Sequence, residues 1–131
     1  MKRIVIPTDF TPGSQLVLER VLRFLHECPY PCELVLLNTY LVKHTDPARV
    51  IELNDELKKK SLDGLNRLKQ EVSEKLANPL VTIDIASHLG SLQNVIQNFL
   101  MRDRYEIIQH DNHEALENNL KHEQRPLLVV A

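Results

Sequence analysis

Glycine is scarce in this chain of 131 residues: it occurs only as Gly13, Gly64 and Gly90. Three isolated glycines furnish neither a Walker loop (G-x-x-x-x-G-K-[ST]) nor a G-x-G-x-x-G dinucleotide turn, and the G-x-S-x-G elbow of serine hydrolases is absent too. Those absences argue against the common enzyme classes built on this kind of fold, and no catalytic residue is assigned. An excess of one charge is also lacking. The net charge is -2, which gives no electrostatic reason to expect nucleic acid or anionic membrane as a partner. The run Lys58-Lys59-Lys60 is flanked by Glu56 and Asp63 and reads as a solvated helix face. No apolar stretch approaches the ~20 residues of a membrane span. Cys28 and Cys32 are separated by Pro29-Tyr30-Pro31, so they form no C-x-x-C motif, and no second pair completes a four-ligand zinc site. A packing role is the expectation for both.

What is present is an ordinary globular composition, 43% hydrophobic and 26% charged, of a length that suits one domain over residues 1–131. The first apolar run stops at Pro7, too soon for the core of a signal peptide, and a cytoplasmic location is expected. Lys2 to Ile6 has the short, β-branched character of a strand buried on both faces. Thr11-Pro12 offers an N-cap followed by proline at the first helical position, and Leu18, Val21, Leu22 and Leu25 mark one face of a helix reaching Glu27. Cys28-Pro29-Tyr30-Pro31 ends it. Glu33 to Val42 is a second strand, centred on Leu34-Val35-Leu36-Leu37.

Asp46-Pro47 repeats the cap-plus-proline signal ahead of a long helix carrying Leu62, Leu65, Leu68, Val72 and Leu76, with an interruption expected near Asn54-Asp55. Asn78-Pro79 stops that helix, and Leu80 to Ile85 alternates in the manner of a strand towards a sheet edge. Gly90-Ser91 opens a helix with Leu92, Val95, Ile96, Phe99 and Leu100 on its apolar face. Tyr105 to Gln109 is a fourth strand, Leu116 to His122 a short helix, and Leu127 to Val130 a fifth strand. Five strands in strict alternation with four helices predict a mainly parallel sheet covered on both faces.

Several segments in this frame, in order, resemble the universal stress protein family. They are Ile4-Val5-Ile6-Pro7-Thr8-Asp9-Phe10, Leu36-Leu37-Asn38-Thr39-Tyr40, the Gly90-Ser91 helix start and Pro126-Leu127-Leu128-Val129-Val130. The resemblance implies a three-layer α/β/α fold of the adenine nucleotide α hydrolase-like type, a five-stranded parallel sheet of order 3-2-1-4-5, and cytoplasmic dimers paired through the last strand. Leu127, Leu128, Val129 and Val130 would then form the homodimer interface, since a terminal edge strand leaves backbone N–H and C=O groups unpaired. Part of that family binds ATP through a motif after the fourth strand: Gly, two residues, Gly, nine residues, then Gly-Ser or Gly-Thr. Laid on this chain, its two leading glycines fall at Asp111 and Glu114, and the spacer and Gly-Ser have no counterpart. Carboxylates there would repel phosphate. The expectation is a stress-response or interaction module that does not bind ATP in that way and needs no cofactor.

A remaining site belongs at the carboxyl ends of the strands where their order reverses, between strands one and four in the implied order. The residues reaching that edge are Pro7, Thr8 and Asp9, with Thr39, His110 and Asp111 completing a cleft for a small ligand or an adenosine compound. Asp9 can equally cap the helix that follows it. A divalent-metal module is a further alternative, because His110 and His113 lie in a segment dense in ligand-type groups, and His44 and His88 also follow predicted strands.

Overall fold

The computed structural model describes residues 1–42 and 47–131, with 47 and 48 described by their backbone alone. His44 and the expected cap Asp46 therefore lie outside the described residues. The elements alternate as β1 (Lys2–Pro7), α1 (Pro12–Leu25), β2 (Cys32–Tyr40), α2 (Pro47–Lys75), β3 (Val81–Leu89), α3 (Leu92–Arg102), β4 (Glu106–Gln109), α4 (His113–Leu120) and β5 (Leu127–Val130). Thr11 caps α1 by accepting from the Ser14 amide, with Pro12 opening the first turn. Ser91 caps α3 in the same manner, and Gly90 before it holds a φ of 133° that a side chain would oppose. Helix α2 runs through Asn54-Asp55 without the expected break. Asn and Asp each weaken a helix by only a few tenths of a kcal/mol or so, and Leu65, Leu68 and Val72 bind the rest of α2 to the core. Strand β3 continues past Ile85 because every residue to Leu89 pairs with β2.

All five strands are parallel, in the order β3-β2-β1-β5-β4. The α/β class is as expected, but the implied order 3-2-1-4-5 is corrected at its last two positions. The reason is legible in the side chains. Leu127-Leu128-Val129-Val130 is apolar on both faces and suits an interior strand, whereas Glu106-Ile107-Ile108-Gln109 carries polar ends and suits an edge. Strand β5 pairs with β1 on one side (Ile4 to Leu127, Val5 to Leu128) and with β4 on the other (Ile107 to Leu128, Ile108 to Val129). Leu127, Leu128 and Val129 are wholly buried. The last strand thus has no free edge, and the expected dimer interface through Leu127, Leu128, Val129 and Val130 is not available in this fold.

Strand order also decides how the layers fill. A right-handed crossover puts its helix on the face dictated by the direction in which the chain steps across the sheet. The steps β1 to β2, β2 to β3 and β4 to β5 all run the same way, so α1, α2 and α4 share one face. There Val17, Leu18, Val21, Leu65, Val72 and Leu116 pack on Ile4, Ile6, Leu34, Leu36, Ile108, Leu127 and Val129. Only β3 to β4 steps back, and α3 alone covers the opposite face, with Val95, Ile96 and Phe99 over Val5, Val35, Leu37 and Leu128. Ile107, on that face of the edge strand, remains about half exposed at 48%.

One polar knot sits inside the three-helix side. Lys2 is 1% exposed, and its Nζ donates to the Asn119 backbone carbonyl at 3.0 Å, to Asn119 Oδ1, and to the carbonyls of His122 (3.1 Å) and Arg125. The Asn119 amide passes the connection to Glu106 Oε2 at 3.0 Å. The start of β1 is thereby tied to α4, to the loop before β5 and to the start of β4. Burial lowers the Lys2 ammonium from 10.5 to about 8, which leaves it charged at neutral pH.

Two predictions follow from this packing. Replacing Val129 with proline removes an interior ladder group, so it should cost ~3 kcal/mol or more of stability, read as a lowered urea midpoint. A variant of unchanged midpoint that lost only self-association would refute the interior position of β5. The second concerns alkaline pH. From pH 8 to 10.5 the unfolded chain holds a Lys2 proton that the folded chain has released, so Lys2 makes stability rise with pH through that window. Burial raises Cys32 from 9.0 to about 12 and Tyr30 from 10.0 to about 12, so from pH 9 upward the folded chain keeps protons the unfolded chain loses, and stability falls. Urea midpoints under reducing conditions should crest near pH 9, and Lys2→Met should be less stable throughout and show the falling limb alone. A rising limb that survives in Lys2→Met would sink the assignment.

Candidate strand-end site

A crevice lies at the carboxyl ends of the adjacent strands β1 and β5. It is a cleft of about 170 Å³ lined by Pro7, Thr8, Asp9, Asn38, Thr39 and Val130, among others. Four of the expected residues, Pro7, Thr8, Asp9 and Thr39, therefore meet there. His110 and Asp111 do not. Strand β5 stands between them and β1, and the His110 amide donates to the Val130 carbonyl from the far side. This corrects the cleft drawn between strands one and four.

Within the cleft the polar groups are largely occupied by the turn itself. Asp9 Oδ1 accepts from the Thr11 amide at 3.1 Å and from the Thr11 and Ser14 hydroxyls. The Ser14 and Thr11 hydrogen bonds hold its carboxyl below the usual carboxylate range. Asp9 fixes the entry to α1, which is the capping alternative. Thr8 Oγ1 accepts from the Phe10 amide at 3.1 Å, the Thr8 amide donates to the Leu37 carbonyl at 2.7 Å, and Asn38 Nδ2 donates to the Thr8 carbonyl at 2.7 Å. Thr39 is only partly buried at the rim.

The histidines are dispersed among other tasks. His110 Nδ1 lies 2.8 Å from the Arg20 guanidinium, which can only donate, so the ring nitrogen accepts and α1 is joined to the end of β4. His113 opens α4 and its ring sits 6.4 Å from that of Phe24. His88 meets Phe99 edge to face at 5.9 Å. Among the described residues no three His, Cys, Asp or Glu side chains gather as a metal site.

The connection from β4 to α4 is the three residues His110-Asp111-Asn112. Asn112 caps α4 through a bond from the Ala115 amide at 3.2 Å, which starts the helix a turn before the expected Leu116. A larger cavity of about 490 Å³ lies elsewhere, between the β1–α1 turn and α2, with Phe10, Gln15, Lys60, Gly64 and Arg67 in its wall. Sequence reasoning passed over it. The available signal was Gly64, a glycine inside a helix, where the residue is unfavourable by ~1 kcal/mol against alanine without a packing reason.

No protein-family model and no curated relative matches this chain. Solved structures do. A universal stress protein UspA from Lactobacillus plantarum is 14% identical with a TM-score of 0.66, covering 99% of this chain and 97% of its own. A universal stress protein family member from Burkholderia pseudomallei is 13% identical with a TM-score of 0.58, over 98% and 94% of the two chains. An Arabidopsis thaliana universal stress protein family protein, solved with AMP bound, is 12% identical with a TM-score of 0.57, over 99% and 91%. At these identities the likeness establishes the architecture, and over nearly its whole length this chain has the fold of the universal stress proteins.

Proposed function

We propose that this protein is a binding and interaction module of the universal stress protein type, not an enzyme, and that it does not hold ATP through a loop after its fourth strand. The observation that carries this reading is the position of β5, which separates the β4–α4 connection from the β1 turn. A triphosphate held by that connection would lie across an intervening strand from Asp9 and Thr39.

Two further features support the same reading. The connection is three residues long and contains no glycine, so few backbone N–H groups are free to turn towards phosphate. Asp111 in the connection and Glu114 in the first turn of α4 place carboxylates there that oppose an anion. The cleft that remains, about 170 Å³, is below the ~300 Å³ at which ordinary small-molecule pockets begin. Self-association, expected from the same resemblance, has the outer edges of β3 and β4 to use, because β5 has none to offer.

Calorimetric titration with MgATP, and separately with AMP, tests the proposal. Neither nucleotide should give saturable heat at millimolar concentration. Saturable MgATP heat that strengthens in Asp111→Arg or Glu114→Arg would mean that the β4–α4 turn binds phosphate by a route the strand order argues against. Heat from AMP alone, lost in Thr39→Trp, would instead favour a small-ligand role for the β1–β5 cleft.

A further inference from the structure

We propose that two copies of this chain pair through the free edge of β4, antiparallel and about a two-fold axis at Ile107, so that their five-stranded sheets join into one. This rests on the self-association in the reading above and names the edge and register that carry it. It is independent of what the strand-end cleft binds.

The direction of the backbone groups is the first observation. The Glu106 amide donates to the Pro126 carbonyl and the His110 amide to the Val130 carbonyl, each at 2.9 Å and each on the β5 side. In a parallel ladder one residue turns its amide and carbonyl to one neighbour and the next residue turns them the other way. Glu106, Ile108 and His110 therefore face β5, while Tyr105, Ile107 and Gln109 face outward. Part of that outward row is taken locally. The Tyr105 amide donates to the Asp103 carbonyl at 3.0 Å, and the Gln109 carbonyl accepts from the Asn112 amide at 3.0 Å. The Ile107 amide and carbonyl, the Gln109 amide and the Tyr105 carbonyl are left open at the edge.

These open groups complement a second copy of themselves. With the axis at Ile107, its amide and carbonyl meet the carbonyl and amide of the partner's Ile107, and the Gln109 amide meets the carbonyl of the partner's Tyr105. The donor and acceptor that would complete this last pair, on Tyr105 and Gln109, are the ones already bonded within the chain. An axis at Ile108 would set the Ile107 amide against the occupied Gln109 carbonyl and leave the Tyr105 carbonyl open. An unrelated extended segment would bring a donor and an acceptor to the groups that are already bonded. A second copy brings neither, and that selects it as the occupant.

Side chains choose between the two outer edges of the sheet. Ile107 is 48% exposed and stands on the face that α3 alone covers. On the axis it lies directly opposite the partner's Ile107, and each withdraws the other from water. The outer edge of β3 instead exposes Thr82 and Asp84, and a charge on an edge strand discourages pairing.

Light scattering of the whole chain across a concentration series tests the dimer. The wild type should rise to twice the mass of one chain. Ile107→Lys sets like charges face to face on the axis and should weaken association by at least about ten-fold, with the circular dichroism of the folded chain retained because the position is exposed. Gln109→Pro removes only an outward donor, which an edge strand tolerates, and should also weaken association in a folded chain. Asp84→Lys should leave the mass as in the wild type. A single-chain mass at millimolar concentration, or a dimer indifferent to Ile107→Lys, overturns the proposal, and a dimer lost in Asp84→Lys overturns it in favour of the β3 edge. Wild-type association by a folded Gln109→Pro overturns the register. Saturable MgATP heat bears on the nucleotide reading alone and leaves these outcomes unchanged.

Discussion

Strand β5 must be buried on both faces and along both edges, and the rest of the architecture accommodates that requirement. Leu127, Leu128 and Val129 have no exposed surface, and at ~1.5–3 kcal/mol for each large apolar side chain withdrawn from water the preference for an interior position far exceeds any preference of connection. Placing β5 beside β1 pushes β4 to the edge. The handedness of the β4–α4–β5 crossover then brings α4 onto the face already held by α1 and α2. One face acquires three helices and the other keeps α3 alone, which explains why Ile107 is half exposed in a strand whose neighbouring Ile108 is buried.

An apolar strand in the middle of a sheet carries little information about which neighbours it should have, because one aliphatic surface resembles another. Lys2 supplies that information. Its ammonium accepts no substitute among nearby apolar groups. It needs oxygen acceptors, and it finds them in Asn119, His122 and Arg125, which bracket the loop between α4 and β5. Removing the ammonium would leave buried carbonyl oxygens without a donor, at ~1–3 kcal/mol for each buried group left unsatisfied. The knot joins β1 to α4 and, through Asn119 and Glu106, to β4. It therefore favours the register in which β5 lies between those two strands over a slipped or exchanged arrangement of similar hydrophobic content.

Much of the architecture was legible in the residues, and the parts that were not share a physical cause. The capped start of α1, the Ser91 cap and the strand character of Lys2 to Ile6 are local matters, written in hydrogen-bonding side chains and β-branched runs a few residues long. The alternation of strands and helices is likewise local, and it sufficed for the parallel α/β class. Strand order is a pairing of distant segments. It was taken from a family likeness, although the contrast between Leu-Leu-Val-Val and Glu-Ile-Ile-Gln already distinguished an interior strand from an edge. The error propagated to the site, because a cleft drawn between strands one and four gathered His110 and Asp111 with Asp9. Residues on the β1 and β2 ends, Pro7, Thr8, Asp9 and Thr39, kept their places because the pairing of β1 with β2 was right.

The contrast between the two concavities shows how one turn can shape both of them. At the end of β1, Thr8 and Asp9 spend their hydrogen bonds on the backbone and on the hydroxyls of Thr11 and Ser14. That bonding leaves the cleft small and its polar groups satisfied, so a ligand entering there must compete with the turn for the same donors and acceptors. It also makes the turn rigid enough to hold Phe10 at a φ of 63°, a conformation it would not adopt alone. A stiff turn of this kind transfers its constraint outward: the side chain it cannot relax is projected onto α2, where Gly64 is the one residue type that lets it land, since a Cβ there would lie 2.6 Å from Phe10 Cζ. The groups that close the strand-end cleft are thus the ones that open the larger cavity beside it.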